Sequence, residues 1–299
     1  MRESYSLASI KKEYDNVLKE LENRKDDFRD DYDVYFKKNI FEKEIVNKMY
    51  DDDKERYVKG AGHELSEHKK DGKVLPPDMS SVASSSRFCY LSLKDTDFSV
   101  FGIKDKTFRR IFEEKMPITQ GTPPHMDCYY VDDDELVCFE CKCHEQFDNH
   151  DIKLAESYFK NDRLVSKIDE KYIIGRVEEE DKRGKKYFKK VIDPKVVCLS
   201  SNPRFDVKQF FTHLMGIQKR LRELKKQKAR LIYYYFIPNE VLKNEKIKAV
   251  IDDLYSDIRK VCNSQFIKDN VKKISIELYV QFSNVVESAS GDNTEKIKI

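Results

Sequence analysis

Apolar positions at helical spacing open the chain. Ile10, Tyr14, Val17, Leu18 and Leu21 recur among charged neighbours, and Phe36, Ile40, Phe41, Ile45 and Met49 repeat the pattern. The spacing predicts a helical N-terminal region over residues 1–57, interrupted by Asp51-Asp52-Asp53 and then by Gly60 and Gly62. Residues 80–93, SSVASSSRFCYLSL, fit helix or strand equally, and residues 107–118 lead into a turn at Gly121-Thr122-Pro123-Pro124. Two aromatic and aliphatic runs follow, Met126–Val131 and Leu136–Cys143. The acidic link Asp132-Asp133-Asp134-Glu135 joins them as a hairpin.

Further on, Asp151–Phe159 reads as a helix, residues 160–194 as charged and irregular with a hairpin around Gly184, and Val196–Leu199 as a short strand. Asp206–Lys226 carries Phe210, Leu214, Ile217 and Leu221 on one stripe, which predicts a long helix. It feeds a buried strand, Leu231–Ile237, ended by Pro238. A helix over Glu240–Val261 and an alternating strand over Ile274–Val280 come next, then a polar tail over 287–299 expected to fray. Strands mixed with helices imply an α/β or α+β class.

Composition narrows the function. At 299 residues, with 39% hydrophobic and 12% aromatic side chains, the chain is too rich in large rings for a disordered protein. The longest apolar run is far below the roughly 18 residues of a membrane span, and Met1–Asp15 has no apolar leader core, so a soluble, cytoplasmic protein is expected. A net charge of +2 excludes a globally basic nucleic-acid binder, yet Lys219–Arg230 (KRLRELKKQKAR) and Asp181–Lys190 (DKRGKKYFKK) are locally basic. Lys219, Arg220, Arg222, Lys225 and Lys226 are candidate contacts to a DNA backbone, the alternative being a solvated helix face. Seven cysteines, an odd number, do not suggest a disulfide framework.

The hairpin carries the chemistry. Side chains alternate along a strand, so Cys138, Glu140, Lys142 and His144 share one face, and Val137, Phe139, Cys141 and Cys143 the other. Pairing about the acidic turn brings Asp127 near Glu140. Two carboxylates and a lysine then converge, an oxygen-rich set suited to Mg²⁺ and to phosphodiester hydrolysis. Buried charges of this kind need partners.

Asp127, preceded by Pro124, and then Glu140-Cys141-Lys142 resemble the PD-(D/E)XK nuclease signature. That superfamily includes many restriction enzymes and recombination or repair nucleases. The resemblance covers roughly residues 58–240. It implies a restriction-endonuclease-like core, a mixed central sheet flanked by helices, within residues 58–286 and with an insertion near 148–200. It further implies Asp127, Glu140 and the carbonyl of Cys141 as ligands of Mg²⁺ (Mn²⁺ as a substitute), Lys142 as the catalytic lysine, and DNA as substrate. Glu64, in GAGHEL, takes the place of the Glu on the helix before the sheet, and Gln209, four residues before His213, that of the Gln on the helix after it. The proline is displaced from Asp127, and the insertion is longer than the common pattern.

Other readings compete. The same fold kept only for binding nucleic acid or protein would need none of the three charged residues. Zn²⁺ bound by Cys138, Cys141 and Cys143 with His125 or His144 is opposed by their spacing along one strand. Ser84-Ser85-Ser86 with His63 lacks the Gly-x-Ser-x-Gly elbow of a hydrolase and suits a helix cap better. Glu113 and Glu114 are accessory carboxylates or surface residues; Glu145 is expected to pair with a basic neighbour.

Overall fold

The computed structural model describes residues 6–31, 34–60, 62–104, 110–117, 123–132, 134–150, 153–155, 173–180, 183–199, 203–283 and 293–299. Helices α1 (Leu7–Leu21), α2 (Lys38–Glu44) and α3 (Asp51–Lys59) come first, followed by a small hairpin, β1 (His68–Lys70) and β2 (Lys73–Leu75), and by α4 (Ser85–Leu93). Three consecutive strands follow: β3 (Ile111–Lys115), β4 (His125–Val131) and β5 (Glu135–Lys142). Next are β6 (Lys153–Ala155), β7 (Ile173–Glu180), β8 (Lys186–Ile192), α5 (Val207–Glu223), β9 (Lys228–Phe236), α6 (Glu245–Asn263), α7 (Gln265–Asn270), β10 (Ile274–Gln281) and β11 (Thr294–Ile297).

The central sheet has the order β11-β10-β9-β5-β4-β3. Strands β3, β4 and β5 form an antiparallel meander, β5, β9 and β10 run parallel, and β11 returns antiparallel at the edge. The protein is therefore mixed α/β, with helices flanking a mixed sheet. Both faces of β5 and β9 are covered, which is why each reads as a near-continuous apolar run rather than a clean alternation. On one face α4 packs Phe88 against Tyr234 and Phe236, with Cys141 beside Cys89. On the other, α5 sets Phe210 against Tyr233 and presents Gln209 and His213 to Lys142 and Glu140.

Local chemistry explains the elements nearest the site. In the hairpin turn, Asp132 Oδ1 accepts from the amides of Asp134 and Glu135, at 2.7 and 2.5 Å, which closes β4 onto β5. Ser84 caps α4 and Asp206 caps α5, its Oδ1 accepting from Gln209 N at 2.9 Å. Helix α5 runs so close to the β3 end that a Cβ on Gly216 would lie 2.6 Å from Met116 Cβ, so only glycine fits there. The N-terminal helices share the one core: Tyr14 donates to the carbonyl of Phe236 at 2.8 Å, and the buried guanidinium of Arg87 on α4 pairs with Glu22 at 3.1 Å.

Several expectations change. Asp51-Asp52-Asp53 does not break the helical pattern but begins α3, where carboxylates favour the positive end of the helix dipole. Residues 153–155, expected in a helix, form strand β6, paired with β8; the remainder of Asp151–Phe159 lies outside the described residues, as does the turn at Gly121-Thr122. The short strand expected at Val196–Leu199 is a single helical turn, Pro194–Val197, which Asp193 caps. The hairpin around Gly184 is present as β7 and β8. The tail expected to fray contributes β11, tied to the sheet by Lys296 and Glu277; residues 284–292 are outside the described set.

Candidate active site

Asp127 and Glu140 stand at the point where β4 and β5 part. The antiparallel ladder runs from Val131–Leu136 to Cys128–Phe139 and stops. One position further, the Asp127 carboxylate takes the place of a backbone partner, its Oδ2 accepting from Cys141 N at 2.7 Å. N–H and C=O of one residue leave a strand on the same side, so the Cys141 carbonyl is directed to this gap as well. Asp127, Glu140 and Lys142 all lie on the α5 face.

Burial makes these charges costly, and their partners show how they are held. Glu140 is 1% exposed. Its Oε1 meets Lys142 Nζ at 2.7 Å, and its Oε2 has no hydrogen-bond partner and lies 3.6 Å from His213 Nδ1. Burial lowers the His213 pKa, so the ring is neutral and does not compensate the carboxylate. Lys142 Nζ donates to Gln209 Oε1 at 2.8 Å and stands 4.0 Å from Glu145 Oε1. Burial alone would depress the Lys142 ammonium, but Glu140, Glu145 and Asp127 outweigh it and hold its pKa well above the usual value. The three carboxyl groups thus favour its ammonium form. Burial, then the nearby charge of Glu140, pushes the Asp127 carboxyl well above the ordinary range, with Lys142 opposing.

Glu145 is anchored differently. The Ser85 hydroxyl donates to its Oε1, and the amides of Cys143 and His144 donate to Oε2 at 3.0 Å each. Burial would raise its pKa, but Lys142, His144 and the Ser85 hydroxyl bring it down to about 2.

A second group of acids extends the site along β3. The β3–β4 pairs Phe112–Cys128 and Glu114–Met126 flank Glu113, which stands opposite Asp127 with a left-handed backbone, φ 51°. A non-glycine residue in that region is strained. Its Oε2 lies 3.4 Å from His125 Nδ1. Glu113 also borders a cleft of about 530 Å³ between α3 and β3. Glu114 borders the same cleft and pairs with Arg56 and Arg220, at 3.2 and 2.8 Å.

Glu64 is not on a helix as expected. It sits on the loop before β1, and α4, the helix that precedes β3, carries no Glu. Its charged neighbours are Glu113, Asp78 and His125; burial first and Glu113 next push its pKa up to about 7, and its Oε2 is buried without a partner. Gln209, by contrast, is brought directly to Lys142.

The donor set fits a hard divalent cation. Two close carboxyl groups, one with an orphaned buried oxygen, and a carbonyl aimed between them crowd oxygen acceptors around a single ammonium, Lys142. Mg²⁺ is commonly bound through one or two carboxylates with several waters retained. Among the described residues no three His, Cys, Asp or Glu side chains form a ready-made metal cluster. The cysteines of the hairpin strand go to packing: Cys141 lies against Cys89, and Cys143 Sγ against the carbonyl of Ser84 at 3.5 Å.

The basic run divides. Arg220 is engaged with Glu114, and Arg230 is buried against Glu277 at 2.6 Å, so neither guanidinium faces a ligand. Arg222, Lys225 and Lys226 instead line a groove of about 490 Å³ with Lys272 and Lys273. From Gln209 to the end of α5 is ~20 Å at 1.5 Å per residue, so this groove is remote from the carboxylates. Comparison with protein-family models, curated proteins and solved structures finds no match.

Proposed function

We propose that the protein is a Mg²⁺-dependent nuclease of the PD-(D/E)XK type, hydrolysing phosphodiester bonds of DNA. The observation that carries this is the convergence of Asp127, Glu140 and Lys142 where β4 and β5 separate, with Asp127 bonded to Cys141 N. With β6, β7 and β8 taken as the insertion between β5 and α5, the order α4-β3-β4-β5-α5-β9, with the Glu-x-Lys on β5 and the Gln on α5, is the one expected of a restriction-endonuclease-like core and supports the reading.

Asp127, Glu140 and the Cys141 carbonyl would hold the cation. Bound there, it would polarise a phosphoryl oxygen and acidify a water for attack. Lys142, held as an ammonium, donates a charged hydrogen bond to the phosphate, where negative charge grows in the transition state. Gln209 and Glu145 fix its direction, and the Asp206 cap fixes Gln209. With Lys142 as an ammonium, the proton of the attacking water would leave to a carboxylate or to solvent.

Cleavage of duplex and single-stranded DNA, and of RNA, with Mg²⁺, Mn²⁺ or EDTA tests this. Wild type should cut DNA only with metal, and Lys142→Ala and Glu140→Gln should each lose at least about 10²-fold. Metal-independent cutting, or equal cutting by the variants, would sink the proposal. Binding without cutting would leave a nucleic-acid-binding module.

A further inference from the structure

Beside Lys142, on the same face of the sheet, is a partly open cavity of about 230 Å³ at the carboxyl ends of the parallel strands β5 and β9. Ligands in open α/β sheets bind at such ends. Phe205, Tyr233 and Tyr235 supply ring surface, and Gln146, Arg204 and Lys142 supply polar groups.

Two of these side chains are left unsatisfied. Gln146 is 1% exposed; its Nε2 donates to the carbonyl of Cys143 at 3.0 Å, which fixes the amide and leaves Oε1 without a donor. Tyr233 is 2% exposed, and its hydroxyl has no partner. Buried polar atoms in this state are uncommon and call for a ligand or an ordered water. One is an acceptor only, the other both donor and acceptor.

Charge identifies the ligand class. Lys142 and Arg204 are matched by Glu145 and Asp206, and His150 is tied to Asp206 at 3.7 Å and to the carbonyl of Glu145 at 3.0 Å. A phosphate would find no net positive field. The volume is below the roughly 300–1,000 Å³ of a pocket for a drug-sized ligand, so one ring system fits and a whole nucleotide does not.

We infer that this cavity receives a single nucleobase of the substrate strand, set against the walls that Phe205, Tyr233 and Tyr235 form and read on its polar edge by Gln146 Oε1 and the Tyr233 hydroxyl. The inference rests on the nuclease reading for the source of the base. A base beside the cutting site must leave its stack to enter, as in enzymes that extrude a nucleotide. The site would then select for the base next to the scissile phosphate: every base carries an amino or ring N–H donor for Gln146 Oε1, so the choice would come from the ring size the cavity admits and from the group set against the Tyr233 hydroxyl.

Saturation-transfer NMR on the full chain, with the four free deoxynucleosides and deoxyribose alone, tests the pocket without any cleavage step. Transfer should reach base protons, favour one or two nucleosides, and be absent for deoxyribose. Tyr233→Phe, which keeps the ring, should weaken the favoured nucleoside about three- to tenfold with its melting temperature close to wild type. No transfer, equal transfer to deoxyribose, or an unchanged profile in a folded Tyr233→Phe overturns the inference. Cutting without nucleoside transfer removes the pocket and leaves the nuclease. Transfer without cutting of any DNA keeps the pocket and removes the nuclease.

Discussion

Replacing Lys142 with methionine keeps most of the side-chain volume and takes away the one cation among three carboxylates. Lys142 lies 2.7 Å from Glu140 and 4.0 Å from Glu145, and Asp127 is near enough to raise its pKa. A unit pair at 4 Å is worth about 4 kcal/mol at an effective dielectric of 20. Burial offsets much of that in the intact site, but an uncompensated buried charge left behind costs about 3–5 kcal/mol. The expected loss of unfolding free energy at pH 8 without metal is therefore about 3–5 kcal/mol.

The pH dependence gives the sign. With the ammonium gone, the Asp127–Glu140 pair holds a proton more tightly folded than unfolded. A carboxyl with a raised folded pKa leaves stability intact below its unfolded pKa and lowers it as pH rises through the folded value. The deficit of Lys142→Met should shrink by about 1.4 kcal/mol for each unit of pH lowered through that window. Mg²⁺ should recover more in the variant than in wild type, because without the competing ammonium the dication would bind more tightly; binding to the folded state alone adds about 2.7 kcal/mol at 100 times Kd. Glu140→Gln in the Lys142→Met background should restore part of the deficit, with a coupling of about 1–3 kcal/mol. Urea unfolding at pH 8 and pH 5.5, with Mg²⁺ or EDTA, measures all of this. A variant as stable as wild type at pH 8 in EDTA would refute the account of the site as an over-acidic buried cluster.

Three further tests address neighbouring groups. Glu64 has its pKa raised from 4.5 to about 7, so Glu64→Gln should be the more stable protein above pH 7 and match wild type near pH 4.5. The shift amounts to ~3 kcal/mol before solvent screening and ~1–2 after it, which thermal melts across pH would show. Glu145 is lowered from 4.5 to about 2, so its contribution is present above the ordinary carboxylate range and vanishes as pH falls towards 2; Glu145→Gln should lose about 1–3 kcal/mol at pH 7 and nothing near pH 2. Lys225→Ala with Lys272→Ala should weaken DNA binding and flatten the slope of log K against log salt by about 0.9 for each phosphate no longer neutralised; an unchanged slope would place the DNA elsewhere.

The hairpin is legible in the sequence because its signals are local. An acidic turn, two apolar runs and the period of two suffice to place Asp127, Glu140 and Lys142 on one face, and α5 declares itself by the Phe210–Leu221 stripe. What the pattern misses depends on distant neighbours. Glu64 lies in a segment that matches no period, and only its burial beside Glu113 ties it to the site. Glu113 reads in the sequence only as one of two adjacent acids; its left-handed backbone and its place opposite Asp127 leave no mark in composition. Arg220 and Arg222 look alike in the basic run, yet helix geometry turns the first to Glu114 and the second to the groove. The Gln146–Tyr233 cavity joins residues almost ninety positions apart and carries no motif at all.

The balance of charge argues against a purely structural role for the cluster. A hairpin built only to fold would gain from replacing a buried ion pair by apolar side chains, since such pairs seldom exceed the cost of desolvating them. Here the chain keeps Glu140 at 1% exposure with one oxygen unpartnered, adds Asp127 within its field, and strains Glu113 opposite. His213, close enough to neutralise Glu140, is held neutral by burial instead. Each feature lowers stability, and a dication between Asp127 and Glu140, as proposed above, would relieve the crowding of the two carboxylates. A site that is unfavourable empty and favourable when filled is what a binding centre requires, because local strain and excess charge of this kind persist where function uses them.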